Sequence, residues 1–283
     1  NHHPRFSYEM DIREFNQLKE YPPELKDLDI LDGSPPCSVF STAGDREDGW
    51  NVEKKFREGQ KKQRLDDLFF AYVETAKRLQ PKIVIAENVK GLILANARGY
   101  VNEILKAFDA AGYKMQIFLM NGQTMGVPQK RERVFFIGHR KDLDLPKLKI
   151  SFNEKPILFG EVRSEKGDPF AEGSIQGELM KRRRKGDITI SDISKRERGT
   201  VGGFNHKINA DDKVALTLVS GGTHCRAFDG LKMTKEDIIN VQTFPQDYNF
   251  LNLSPQYICG MSAPPVMMAQ ISTQVKEQWL DLL

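Results

Sequence analysis

The chain has 283 residues, a formal net charge of +3 and a charged fraction of 29%. These values fit a soluble globular protein with one large domain or two unequal ones, and the mildly basic balance permits a nucleic-acid partner. No apolar run approaches membrane-spanning length, so we expect a cytoplasmic protein without a membrane partner. Cys37, Cys225 and Cys259 lack disulfide or metal-ligand spacing, which predicts free thiols and no metal site.

Strand and helix patterns alternate through the first half of the chain. The predicted elements are strands within 27–33, 81–89, 113–120 and 133–139, and amphipathic helices within 64–79 and 99–112. This alternation predicts an α/β fold with a parallel sheet and right-handed crossovers.

The pattern weakens after residue 150 and becomes helical again near the end of the chain. Glycine, charge and short strand-like pieces dominate up to about residue 230. We therefore predict a large domain over 1–150, a smaller loop-rich domain over 151–230, and a segment over 231–283 that returns to the large domain.

Reactive side chains follow the first two predicted strands. Pro35 and Pro36 restrict the backbone directly before Cys37, and Glu87 and Asn88 come just past the apolar run of the second strand. Because parallel strands place their carboxyl ends at one sheet edge, the thiol and the carboxylate should converge on one crevice. The alternatives are a half-buried loop thiol for Cys37 and a helix cap or solvated loop for the Glu-Asn pair.

The segment "QKRERVFF" supplies a third group of polar side chains. On a single strand, Gln129, Arg131 and Arg133 would share one face. Guanidinium groups beside a thiol favour the reactive thiolate, and they can also hold a phosphate. The alternative is an edge strand protected by charge.

Five stretches together resemble the C5-cytosine DNA methyltransferase family of bacteria and their phages: "GSPPCSVFSTAG", "IAENVKGL", "QKRERVFFIG", "MTKEDIINVQTFP" and "GMSAPP". The resemblance spans nearly the whole chain except residues 150–220, where that family varies. It implies the Rossmann-like sheet of S-adenosylmethionine-dependent methyltransferases, together with a smaller target-recognition domain over 151–230.

The resemblance also implies an activity, a DNA (cytosine-5-)-methyltransferase that acts on a flipped-out cytosine in duplex DNA. Cys37 would be the nucleophile, Glu87 would contact the cytosine, and the other catalytic candidates are Asn88, Gln129, Arg131 and Arg133. The stretch 38–62 would be a mobile loop that closes on the base and includes Ser41, a candidate DNA contact. We expect a monomer, with a cognate restriction endonuclease as a candidate partner.

The cofactor pocket departs from the family pattern, because the glycine-rich loop with which such enzymes open is not in this sequence. We therefore expect the amino-terminal part to be absent from this chain. By the resemblance, the candidate S-adenosylmethionine contacts are Asp11, Ile12, Pro35, Leu68 and Ser262.

Basic residues in the smaller domain are the candidate DNA contacts, namely Lys181, Arg182, Arg183 and Arg184. Two other functions stay open. One is a tRNA cytosine-5 methyltransferase. A methylation assay that compares duplex DNA with tRNA as the substrate would distinguish it. The other is an inactive DNA-binding fragment of a split enzyme, which the missing glycine loop permits and a cofactor-binding measurement would test.

Overall fold

A computed structural model describes residues 4–36, 67–94, 98–202 and 206–283. Its α-helices are α1 (Ile12–Phe15), α2 (Leu68–Leu79), α3 (Arg98–Ala110), α4 (Phe159–Val162), α5 (Ile175–Lys181), α6 (Ile190–Arg198), α7 (Lys235–Gln242), α8 (Pro255–Met261) and α9 (Pro265–Gln278). Its strands are β1 (Ile30–Gly33), β2 (Ile83–Val89), β3 (Tyr113–Asn121), β4 (Gln129–Lys130), β5 (Glu132–Arg140), β6 (Lys207–Asn209), β7 (Ala215–Leu216) and β8 (His224–Arg226).

The chain folds into two compact units. The sheet unit comprises His2–Met120, Glu132–Ile150 and Gln274–Leu283, and the second unit comprises Asn121–Arg131 and Ser151–Thr273. The second unit thus reaches beyond the predicted boundary at residue 230 and takes in a short segment before residue 150.

The sheet unit is built on a four-stranded sheet in the order β1-β2-β5-β3. β1 and β2 are parallel, as the sequence predicts, but β5 runs antiparallel to β2. The prediction of a parallel sheet with crossovers is therefore wrong for this part, and the sheet is mixed. The segment after β3 holds only a short 3-10 turn and the two-residue β4, whereas a parallel connection needs about a dozen residues and usually a helix.

Helices α2 and α3 cover this sheet with apolar side chains that repeat at helical spacing. Phe69 on α2 makes edge-to-face contacts with Phe108 on α3 and Phe136 on β5, with ring centroids 6.4 and 5.2 Å apart. These rings lie in a buried cluster that also contains Val84 and Ala86 of β2. The packing fixes the register of the strand whose last residues carry Glu87 and Asn88.

The second unit holds smaller elements with well-defined helix starts. Thr189 and Asp192 form a reciprocal cap at the start of α6, and Thr234 and Asp237 do the same for α7. The strand pairs β4–β7 and β6–β8 are both parallel. Two buried clusters, one around Ile239 and one that includes Cys225, give this unit a core of its own. Among the residues that the structure describes, no helix is long and apolar enough to cross a membrane.

Candidate active site

Glu87 lies near the carboxyl end of β2 and is 9% exposed. Strand β2 runs through Val89, so Glu87 and Asn88 are its last-but-two and last-but-one residues, within the predicted strand and just past its apolar run. The carboxylate accepts a hydrogen bond from Ser34 Oγ at 2.9 Å. It also forms an ion pair with Arg133, whose Nε lies 2.8 Å from Glu87 Oε1.

The antiparallel register explains this ion pair. Val89 faces Arg133 directly, which places Arg133 diagonally across from Glu87, within reach of a long side chain. Burial lowers the pKa of Arg133, while the charge of Glu87 and the hydrogen bond to it act in the opposite direction. The result is a sheltered carboxylate that retains its counter-ion, an arrangement that can donate and accept hydrogen bonds at one site.

Asn88 connects the end of β2 to the segment that leads to Cys37. Its Nδ2 donates to Pro35 O at 2.9 Å, and Pro35 is buried. With the bond from Ser34 to Glu87, two consecutive residues of β2 hold two consecutive residues of the segment after β1. Cys37 itself lies outside the described residues, as does Ser41 with the whole predicted mobile loop.

Gly33 allows the close packing just before this segment. A Cβ at this position would lie 2.8 Å from the ring of Tyr72 on α2. The Tyr72 hydroxyl lies 2.7 Å from Leu31 O and 2.9 Å from Ile85 O, one on each parallel strand. The glycine in "DGSPPC" therefore lets a helix residue join β1 to β2 directly below the candidate site.

The "QKRER" segment is divided between the two units. The structure contradicts the prediction of one continuous strand, because the chain leaves β4 after Lys130 and enters β5 at Glu132. Arg133 belongs to the sheet unit and pairs with Glu87. Gln129 and Arg131 are fully buried in the second unit, where Arg131 donates to Leu218 O and Gly260 O, both at 2.9 Å. The hydrogen bond from Arg131 N to Gln129 O, at 2.9 Å, closes a tight turn over Lys130, and this turn ends the alternation on which the shared face depended.

The candidate cofactor residues fall into two groups. In the sheet unit, Asp11 caps α1 and pairs with Arg13 at 2.7 Å, and the side-chain hydrogen bonds from Arg13 lower the pKa of Asp11. Ile12 packs against the core under α2, and Leu68 begins α2 and is half-buried. One carboxylate beside half-buried apolar side chains suits the polar and aromatic parts of an adenosyl group.

Ser262 differs from these residues, because it lies in the second unit. Its Oγ donates to Ile258 O at 2.7 Å, so the hydroxyl proton is used at the end of α8. Its backbone N–H bonds the same carbonyl at 3.0 Å.

The basic candidates for DNA contact have distinct surroundings. Lys181 pairs with Glu178, and Arg182 and Arg184 are mostly exposed beside Glu197. Arg183 instead donates to the backbone carbonyls of Met180, Ala227 and Phe228. Arg183 therefore holds two segments of the second unit together, while its neighbours remain accessible.

A cavity of about 780 Å³ opens beside these residues in the second unit. Lys130, Lys185 and Lys213 line it, together with Phe228, whose side chain is 66% exposed. Sequence reasoning did not single out Lys130, Lys213 or Phe228. The signal that could have indicated Phe228 is the presence of an aromatic residue within a polar, glycine-bearing stretch of the sequence.

The sheet unit thus combines a mixed sheet covered by helices with a buried acid near the end of a strand. A family described as C-5 cytosine-specific DNA methylase matches residues 1–277. The chain belongs to this family, and its enzymatic class is DNA (cytosine-5-)-methyltransferase.

Individual relatives agree with this membership. The chain is 26% identical to the type II methyltransferase M.NgoPII of Neisseria gonorrhoeae, over 98% of this chain and 84% of that protein. It is 29% identical to M.BsuRI of Bacillus subtilis over 96% of this chain, an alignment that spans 62% of the relative. It is 40% identical to M.FnuDI of Fusobacterium nucleatum over 48% of this chain and 34% of that protein.

Solved structures show the same fold at low sequence identity. A prophage-encoded Escherichia coli protein described as a DNA modification methyltransferase superposes with a TM-score of 0.61 at 17% identity, covering 88% of this chain and 79% of that one. DNMT2 of Spodoptera frugiperda, solved as a triple mutant, gives a TM-score of 0.54 at 16% identity, covering 93% of this chain and 81% of that one.

Proposed function

We propose that the chain methylates carbon 5 of a cytosine flipped out of duplex DNA, with Cys37 as nucleophile and Glu87 as the group that binds the cytosine ring. The observation that carries this proposal is the pair of hydrogen bonds between β2 and the segment after β1. Ser34 Oγ donates to Glu87 and Asn88 Nδ2 donates to Pro35 O, so the end of β2 that carries the acid is tied to the residues three and two positions before the thiol.

The other two cysteines support the choice of Cys37. Cys225 and Cys259 are free and fully buried, and burial raises the pKa of each to about 12. A nucleophilic cysteine must reach its thiolate form near neutral pH. Both side chains instead pack in the cores of the second unit, where a nucleobase has no access.

The residue types fit the chemistry of the reaction. Carbon 5 of cytosine is a poor nucleophile until the Cys37 thiolate adds to carbon 6, which raises the electron density at carbon 5. Glu87, when it carries a proton, donates that proton or a hydrogen bond to N3 and so stabilises the charge that enters the ring, while Arg133 holds Glu87 in place. After carbon 5 has received the methyl group, its proton passes to solvent, and the electron pair of the broken carbon–hydrogen bond re-forms the ring double bond as the Cys37 sulfur leaves as a thiolate.

S-adenosylmethionine, when bound, supplies the methyl group that carbon 5 receives. Asp11, Ile12, Pro35 and Leu68 are the residues of the sheet unit that would hold it. Asp11 would accept hydrogen bonds, and the apolar side chains would pack against the adenine. Extrusion of the cytosine from the duplex costs a few kcal/mol, which protein–DNA contacts must offset.

The test uses duplex DNA that contains 5-fluorocytosine, in the presence of S-adenosylmethionine. Fluorine cannot leave as the carbon-5 proton does, so the enzyme should remain covalently attached at Cys37, as peptide mass spectrometry would show. Cys37→Ser should remove the adduct, whereas Cys225→Ala should retain it. An unmodified Cys37 with intact DNA binding would contradict the proposal and favour a DNA-binding fragment without activity.

The same assay with tRNA addresses the second candidate substrate. The matching family is described as a C-5 cytosine-specific DNA methylase, which favours duplex DNA. The type II names of the relatives also support a role in restriction–modification beside a cognate endonuclease. Methyl transfer to tRNA in preference to duplex DNA would overturn the choice of substrate.

A further inference from the structure

Both oxygens of the Glu87 carboxyl group have a hydrogen-bond donor beside them. Arg133 Nε lies 2.8 Å from Oε1, and Ser34 Oγ donates to Oε2 at 2.9 Å. A carboxyl group turns easily about its last side-chain torsion, and a single donor leaves that rotation open. Donors at both oxygens therefore fix the plane of the carboxyl group.

The two donors differ in the protonation states that they allow. The guanidinium of Arg133 stays charged and has no acceptor, so a proton on Glu87 Oε1 would face N–H groups alone. The hydroxyl of Ser34 has one donor and two acceptor lone pairs, so it can bond Oε2 whether or not the acid is protonated. Of the two oxygens, Oε2 is therefore the one that can carry a proton beside its present partner.

The backbone around Ser34 is held without this hydroxyl. Gly33 pairs with Ala86 in the parallel ladder, and Pro35 O accepts from Asn88 Nδ2 at 2.9 Å. Ser34 itself is exposed, so its side chain fills no space in the core. The hydroxyl therefore acts on the acid and contributes little to the position of the segment.

We propose that Glu87 Oε2 carries the proton that reaches the cytosine and that Ser34 is a positioning residue that fixes this oxygen for the transfer. The Oε2–H bond breaks and an N3–H bond forms, while the electron pair of the broken bond stays on Oε2. The resulting carboxylate accepts the hydrogen bond from Ser34, and the proton returns to Oε2 when the ring double bond re-forms. The inference rests on the proposed function for the identity of the substrate as cytosine.

The test compares Ser34→Ala with Ser34→Thr, which keeps the hydroxyl and is the matched control. Single-turnover methylation of duplex DNA by Ser34→Ala should slow about tenfold, because the carboxyl group is held at one oxygen only. Its Kd for the duplex and its urea midpoint should not change. The threonine variant should methylate within about twofold of the wild-type rate. A wild-type rate for Ser34→Ala, a fall in its urea midpoint, or an equal loss of rate in both variants would overturn the inference.

A double-variant cycle shows whether Ser34 acts through Glu87. The amide of Glu87→Gln cannot transfer a proton to N3, so the added change Ser34→Ala should alter the residual methylation rate by less than about twofold. A second tenfold loss of rate, of the size that Ser34→Ala alone gives, would show that Ser34 acts on another group and would contradict the assignment.

The two proposals fail in different ways. If 5-fluorocytosine DNA gives no adduct at Cys37 and Glu87→Gln methylates at the wild-type rate, the proposed chemistry falls. If the adduct forms and Glu87→Gln is slow while Ser34→Ala is as fast as wild type, only the role of Ser34 is overturned.

Discussion

Glu87 and Arg133 show how much of the candidate site depends on one pair of side chains. The two lie on neighbouring antiparallel strands, their side chains alone are only 11% and 12% exposed, and Arg133 Nε lies 2.8 Å from Glu87 Oε1. A buried carboxylate with a fixed cation is far more constrained than an exposed ion pair, which is worth little. The pair is therefore suited to holding a substrate in a single orientation.

Glu87→Gln tests this pair at the level of turnover. The amide cannot transfer a proton to N3 and leaves Arg133 without its carboxylate, so we expect kcat to fall by about 100-fold or more. DNA affinity should change little, because phosphate contacts dominate it. Single-turnover methylation measures the rate. The control is Glu132→Gln, next to Arg133, where the lost ion pair with Lys90 is partly exposed and the rate should be retained.

An unchanged methylation rate for Glu87→Gln would remove Glu87 from the mechanism. A similar loss of rate for Glu132→Gln would indicate that the strand, and not the acid, is affected.

At the scale of the element, β1 and β2 are joined by a side chain as well as by the backbone hydrogen bonds between the two strands. Tyr72 reaches from α2 over Gly33 to carbonyl groups of both strands. Such close packing makes the β1 end a fixed platform for the Ser34–Pro35 segment.

Gly33→Ala should disturb this platform. The new Cβ would lie 2.8 Å from the Tyr72 ring, and overpacking of this kind costs about 1–3 kcal/mol of unfolding free energy. Urea denaturation of the single variants and the double variant with Tyr72→Leu measures the coupling. We expect the double variant to be more stable than the sum of the single effects predicts. Additive effects would show that the two residues do not interact.

At the scale of the whole molecule, the second unit buries a histidine that links stability to pH. His224 is 2% exposed, and burial, with help from the nearby Lys207, lowers its pKa to about 3. In an unfolded chain the pKa of histidine is about 6.5. Between these two values the unfolded state binds more protons than the folded state, so the folded protein loses stability as the pH falls.

The expected result is a free energy of unfolding that is highest above pH 6.5 and declines towards pH 3. His224 should contribute a slope of up to about 1.4 kcal/mol per pH unit within that window. Urea denaturation at several pH values measures it, and His224→Gln should reduce the slope. The control is His206→Gln, where the pKa is also lowered by burial but the ring is only half-buried. An identical slope for wild type and His224→Gln would show that His224 is not the group responsible.

The family, the α/β class and the approximate places of the helices and strands in the sheet unit could be predicted from the amino-acid sequence alone. These features are predictable because apolar periodicity and the short motifs are local properties of the chain. The position of Glu87 beside the segment that leads to Cys37 follows from the parallel pairing of β1 and β2, which the hydrophobic runs indicated correctly.

Two features depend on long-range packing, which local sequence patterns leave open. The antiparallel direction of β5 depends on how a short connection returns to the sheet, and the break at Arg131 depends on which unit offers partners for each side chain. Arg131 finds backbone carbonyls in the second unit, whereas Arg133, two residues later, finds a carboxylate in the sheet unit. Both have the same side chain, so only the packing of distant segments around them could assign their different partners.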